Sequence, residues 1–226
     1  MRSKKTIKYF IYSSLMVIFL FSSFNGFSKR ELTYVELVPT IKSGSSLNVC
    51  VATLDQREVV LLGKQNAKFV GYIRSSVMIA YPIRNSSDMN FSEAMSTTVA
   101  NALKNNACTT SVMKTDYSKS KTDILNELKT QEADIFILIT MTKWRTDTKA
   151  MNAMKLATEL SYDLTAEVYN KAGELIATNT LDKVEPGLSP SGSASSKKIQ
   201  AKVINTKYPE VMTNLFANPE IENALK

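Results

Sequence analysis

"VCVATLDQREVVLLG", residues 49–63, is the stretch on which the fold turns. Val49 and Val51 alternate with Cys50 and Ala52, all small or apolar, so both faces of the segment favour burial. That pattern belongs to a central strand covered on both sides, here Leu47 to Leu54. The strand runs into an Asp-x-Arg, Asp55 and Arg57, and a second apolar run closes at Gly63. Two charges one strand-step apart, just past such a strand, are candidates to hold a ligand's polar group. The structural alternative has Asp55 ending the strand by accepting nearby backbone N–H groups, with Arg57 as its charge partner. We take the structural reading.

Outward from this stretch, Phe69 to Arg84 reads as extended, with Pro82 marking an edge position or a strand end. Asn90 with Glu93 forms a capping-box-like start, and Met95, Val99, Ala102 and Leu103 give the following helix one apolar face. Cys108 to Lys114 reads as a strand, and Ser120 or Thr122 opens a shorter helix with Ile124, Leu125 and Leu128 inward. "EADIFILITMTKW" then predicts a strand from Asp134 to Trp144. This alternation implies crossovers and partly parallel pairing. The second half differs: Leu160 to Val168 alternates apolar and polar residues, "NKAG" (170–173) is a turn, and Leu175 to Val184 returns as the partner strand of a hairpin. Residues 186–196 read as a polar linker and 197–226 as a C-terminal helix that Pro209 splits or restarts. The expected fold class is α+β: a single mixed-sheet domain with two or three packed helices, a C-terminal β-hairpin and a C-terminal helix.

The N-terminus has the layout of a secretory signal peptide over 1–28. Arg2, Lys4, Lys5 and Lys8 precede an apolar region, and Gly26 and Ser28 offer small residues before a cleavage point at Lys29. An uncleaved inner-membrane anchor is the alternative, disfavoured by the interrupting serines and Asn25 and by Lys29 and Arg30. Residues 29–46 read as a flexible arm and 47–226 as the single domain. The whole chain has 28 Lys+Arg against 21 Asp+Glu, but four of those bases and none of the acids lie in the first 28 residues, leaving +3 beyond them. The basic balance therefore belongs largely to the leader, and no basic block with interleaved aromatics supports nucleic-acid binding.

The residue types available exclude much chemistry. Without histidine there is no Ser-His-Asp or Cys-His catalysis and no imidazole metal site. Two isolated cysteines make no thiolate metal site, and the seven glycines form no phosphate loop. No Asp-x-Asp calcium loop is present. A Ser/Lys dyad and a carboxylate pair on adjacent strand ends stay open, although no Ser-x-x-Lys opens a helix in an apolar setting. We expect no enzyme, no cofactor and no metal. Cys50 and Cys108 read in two ways, as one disulfide in an oxidising compartment or as two buried thiols. Trp144, the single tryptophan, lies between Lys143 and Arg145, as a contact surface or the cap of a core edge. Met141, Trp144, Met151 and Met154 could line a pocket for a small or lipidic ligand, the alternative to a binding module.

Three pieces carry a resemblance: the strand running into Asp55-x-Arg57 and on to Gly63, the helix "FSEAMSTTVANALKNNA" (91–107), and the ending "YPEVMTNLFANPEIENAL" (208–225). In this order they resemble the YajG-like family of bacterial cell-envelope lipoproteins, and the architecture is similar to the amino-terminal domain of TolB and to the penicillin-binding-protein activator LpoB. The resemblance covers roughly Leu47 to Lys226 and implies an accessory or scaffold module in the periplasm, associated with the outer membrane and acting through other envelope proteins of a secretion, motility or wall-related assembly. The chain departs from the family in lacking a lipobox cysteine before Lys29, so membrane association is expected through partners rather than a lipid anchor. A second departure is "NNAC" where the family's helix ends in glycine.

Overall fold

The strand expected from Asp134 to Trp144 extends from Ile135 to Asn152, and the rest of the sheet is arranged along it. A computed structural model describes residues 31–44, 46–75, 77–152, 155–188 and 195–226, of which 150–152, 155 and 188 are described by backbone alone. The expected signal peptide lies outside the described residues. In chain order the elements are β1 (Glu31–Leu32), β2 (Asn48–Asp55), α1 (Glu58–Leu61), β3 (Phe69–Arg74), β4 (Ala80–Asn85), α2 (Phe91–Lys104) and β5 (Thr109–Met113). They continue with α3 (Lys121–Leu128), β6 (Ile135–Asn152), β7 (Lys155–Asn170), β8 (Leu175–Leu188), α4 (Ser196–Phe216) and α5 (Pro219–Ala224). This is an α+β domain built on one mixed sheet.

One edge of β6 is shared by two strands lying end to end. β2 pairs parallel with Ile135–Met141, and β3 pairs parallel with Thr146–Thr148. β7 runs antiparallel along the whole of the other edge, followed by β8. Beyond β2 lies β5, and beyond β3 lie β4 and the two-residue β1. The sheet buries both faces, as the composition of β2 requires. Val49, Val51, Ile137, Ile139, Leu164 and Ala166 meet Met95, Val99 and Leu103 of α2 and Tyr208, Met212, Leu215 and Ile221 of the C-terminal helices. Cys50, Ala52, Leu54, Phe136 and Leu138 meet Ile124 and Leu128 of α3 on the opposite face. Each fully buried Leu, Ile or Phe contributes roughly 1.5–3 kcal/mol, so these two layers provide the main driving force.

A β-bulge in β6 sets the position of Trp144. Met141 pairs with Leu164, Thr142 is skipped, and Lys143 and Trp144 pair with Asp163 and Tyr162. The extra residue reverses which side chains face inward. Ile139 and Met141 point into the main core before it, and Trp144 does so after it.

Several expectations are corrected. The stretch 29–46 is not a flexible arm over its described part: β1 pairs with β4, and Tyr34 and Ile41 are buried in the main core. Phe69 to Arg84 is not one extended run but an antiparallel hairpin of β3 and β4. Asn90 is the N-cap of α2 without a side-chain hydrogen bond, whereas Ser120 and Asp123 form a full capping box on α3. Pro209 lies inside α4 without splitting it. Proline in a helix interior costs about 3 kcal/mol, and burial of its neighbours Tyr208, Val211 and Met212 offsets that. Of the expected linker, 186–188 belong to β8, while 189–194 lie outside the described residues.

Candidate functional site

β2 leaves the sheet at Asp55, and the N–H of Gln56 still donates to the Met141 carbonyl at 2.8 Å. From there to Thr146, where β3 takes over, β6 has no ladder partner on that edge. Arg57 fills the opening. Its Nε donates to Asp55 Oδ1 at 2.8 Å and its Nη2 to Asp55 Oδ2 at 2.6 Å, in a bidentate pair. Its Nη1 donates to the Phe69 carbonyl and its Nη2 to the Ala67 carbonyl at 3.4 Å, while Asp55 Oδ1 also accepts the Arg57 N–H at 3.2 Å. Asp55 is 1% exposed and Arg57 2%. Ions buried this deeply are tolerated only when paired and fully hydrogen-bonded, and these meet that demand.

The Arg57 guanidinium stands 5.3 Å from the Phe91 ring centroid, and Phe91 in turn stands 5.7 Å from Trp144. Trp144 also packs against Tyr34 at 6.2 Å, Tyr208 at 5.5 Å and Tyr162 at 6.2 Å, and its Nε1 donates to the Tyr34 hydroxyl at 3.4 Å. Tyr208 Oη shares a 2.7 Å hydrogen bond with Thr98 Oγ1. Burial pushes the Tyr34 and Tyr208 phenols well above their ordinary value. The fold thus joins Asp55, Arg57 and Trp144 through Phe91. Trp144 is 1% exposed, which corrects the contact-surface reading: the bulge at Thr142 turns the indole inward and leaves Lys143 and Arg145 outside. Sequence reasoning missed Tyr34 because it read residues 29–46 as an arm; the apolar residues Leu32, Tyr34, Leu37, Val38 and Ile41 were the available signal.

Beside Arg57, an open cleft of about 390 Å³ is lined by Glu58, Tyr72, Lys143, Arg145, Glu159 and Ser161 among others. Its charges are loosely paired: Arg145 with Glu159 at 3.9 Å, Lys149 with Glu159 at 3.7 Å, and Lys143 with Asp182 at 3.8 Å. These groups can meet the polar groups of a partner, but none is a nucleophile held beside a base, as covalent catalysis needs. Among the described residues no cluster of three or more His, Cys, Asp or Glu side chains could hold a metal ion. The expected methionine lip is not assembled here: Met141 is fully buried in the main core, Met151 lies at the far end of β6, and Met154 lies outside the described residues.

The disulfide reading is also corrected. Cys50 and Cys108 are free and buried in separate core layers on opposite sheet faces. Cys50 is in register with Ser111, three residues beyond Cys108 along the chain. That is about 10 Å at strand spacing, too far for a bridge. Cys108 Sγ instead donates to the Gly44 carbonyl at 3.2 Å, and burial raises the Cys50 thiol pKa.

No family model matches the chain, and no curated protein does. Among the described residues no helix is long and apolar enough to cross a membrane. Solved structures are similar at low identity. Protein XCC0632 from Xanthomonas campestris, of the family model DUF330, is 12% identical with a TM-score of 0.47, over 82% of this chain and 95% of that one. The hypothetical protein CT253 from Chlamydia trachomatis is 14% identical with a TM-score of 0.42, over 80% and 98%. Lipoprotein GNA1162 from Neisseria meningitidis is 12% identical with a TM-score of 0.27, over 74% and 98%. At these scores the likenesses assign the chain neither a family nor an activity.

Proposed function

We propose that the chain is a non-catalytic subunit of a bacterial cell-envelope assembly that binds another protein by strand addition along β8. The observation that carries this reading is the free edge of that strand. β8 spans 14 residues and, among the described residues, pairs with β7 alone. Its first half, "LIATNTL" (175–181), bears no charge, and Leu175 and Ile176 are exposed. A long uncharged edge offers a row of unpaired backbone groups to an incoming strand. The signal-like leader and the YajG-like resemblance support placement in the periplasm. The burial of Met141 in the main core, away from the cleft that Trp144 lines, counts against the alternative of a small or lipidic ligand in a methionine-lined pocket.

A photo-crosslinking residue at Thr180, introduced in intact cells, tests the reading. Recovery of one defined envelope protein, abolished by Thr178→Pro, is expected. A strand that crosslinks to nothing, in a protein recovered alone, would refute it.

A further inference from the structure

The end of the molecule at which β3 and β6 finish carries an exposed apolar tip surrounded by bases. The turn between β3 and β4 is tied by hydrogen bonds from the Met78 N–H to the Ser75 carbonyl at 2.9 Å and from the Ile79 N–H to Ser75 Oγ at 3.1 Å. It holds three consecutive apolar residues outward: Val77 is 72% exposed, Met78 55% and Ile79 54%. Met78 has φ +62°, a conformation that suits glycine or asparagine better than methionine. Runs of this kind are avoided on surfaces that face only water.

Register places three further segments at this end. β3 pairs with β6 as far as Ile73–Thr148, so the last described residues of β6, 149–152, run level with the β3–β4 turn. β8 reaches the same end through its pairing of Leu188 with Thr158. α4 begins there, since Gln200 Nε2 donates to Thr146 Oγ1 at 2.5 Å. The described residues 74–75, 77–84, 148–152, 155–158, 186–188 and 195–203 contain no Asp or Glu but include Arg74, Lys149, Lys155, Lys197 and Lys198. The nearest acids stand back from the tip: Asp147 pairs with Arg74 through Nε and Nη2 at 2.9 and 2.7 Å, Glu159 is 3.7 Å from Lys149, and Glu185 is in register with Leu160, while Lys197 and Lys198 are exposed.

We infer that Val77, Met78 and Ile79 insert into the interface of an anionic lipid bilayer, with the basic residues of this end on the headgroups. Apolar tips supply burial in the interface, and nearby lysines and arginines supply attraction to an anionic surface that salt screens. The charge pattern selects this occupant over a second copy of the chain, because two such ends would repel. The surface is distinct from the β8 edge, so this inference and the strand-addition reading can fail separately.

Vesicle co-flotation of the chain from Lys29 onward tests it. That piece lacks the apolar leader and contains the whole compact unit Glu31–Lys226 with its own core. It should float with phosphatidylcholine/phosphatidylglycerol vesicles and not with phosphatidylcholine alone. Val77→Ser combined with Ile79→Ser, or Lys149→Glu combined with Lys197→Glu, should weaken binding by about tenfold or more, as should raised salt. Unchanged tryptophan emission would show that the variants remain folded. Absence of flotation by the unsubstituted protein, or equal flotation by the tip variant, would overturn the inference. So would a tip variant that changes only self-association in lipid-free solution.

Discussion

Asp55 and Arg57 are two residues apart in the chain and form a bidentate ion pair, at 2.8 and 2.6 Å, that fills the opening between the end of β2 and the start of β3. The pair turns the chain out of the sheet and ties it to the β3 backbone through the carbonyls of Phe69 and Ala67. Removing one partner leaves a buried, uncompensated charge. Arg57→Met or Asp55→Asn should therefore lower unfolding stability by about 3–5 kcal/mol. Replacing both residues with apolar ones should not restore it fully, because those two carbonyls lose their donor. Urea denaturation of the single and double variants measures the difference.

Trp144 reports on the aromatic cluster. Its native emission should be blue-shifted and should move red on unfolding, since the indole is buried and hydrogen-bonded to Tyr34. Trp144→Ala should cost about 3–5 kcal/mol by leaving a cavity. Tyr34→Phe should cost about 1 kcal/mol for its hydrogen bond, read from thermal or urea melts.

The two thiols should be inert in the native protein. Ellman's reagent should detect neither until denaturant is added and then both, and non-reducing mass analysis should show no loss of two hydrogens. Burial of Cys50 and Cys108, with the raised pKa of Cys50, is the reason. Rapid modification of native Cys50 would contradict the placement of α3.

Stability should fall at both extremes of pH. Burial works to raise the pKa of Glu185, but hydrogen bonds from Lys207 and Tyr162 and the charges of Lys207 and Lys183 outweigh it and hold the carboxyl below its ordinary range. Its contribution is full above the unfolded-state carboxylate pKa and is lost as pH falls through the depressed native value. Glu185→Gln should flatten the acid limb of a stability–pH curve. On the alkaline side, burial pushes Tyr162 and Tyr169 up to about 12. Their contribution is full below the ordinary phenol value near 10 and is lost as pH rises through the native one. Phenolate absorbance should show these tyrosines ionising late, alongside unfolding.

Gly71 marks the entry of β3 alongside β6. It has φ +155°, and a Cβ there would stand 2.0 Å from the Thr146 carbonyl oxygen. Gly71→Ala should destabilise by about 1–3 kcal/mol, whereas Gly63→Ala, with open space around it, should cost less. Parallel melts of the two variants separate close packing from backbone conformation.

The sequence by itself determined the local elements whose signals are periodic or chemical. β2 is apolar on both faces, α3 opens at Ser120, one of the two residues expected, and the 170–173 turn joins two strands that alternate inward and outward residues. Those properties depend on neighbours a few residues away, so they can be read along the chain. Tertiary structure decided the rest. The bulge at Thr142 directs Trp144 inward because Tyr34, Phe91 and Tyr208 surround that position, each far from it in the chain. Asp55 and Arg57 are buried because β3 joins β6 only after β2 has left, and α4 continues through Pro209 because its neighbours have a core to enter. Cys50 and Cys108 remain apart because pleating and register place them in different layers. Burial, register and facing are properties of pairs distant in sequence, and only the assembled sheet with its helices brings those pairs together.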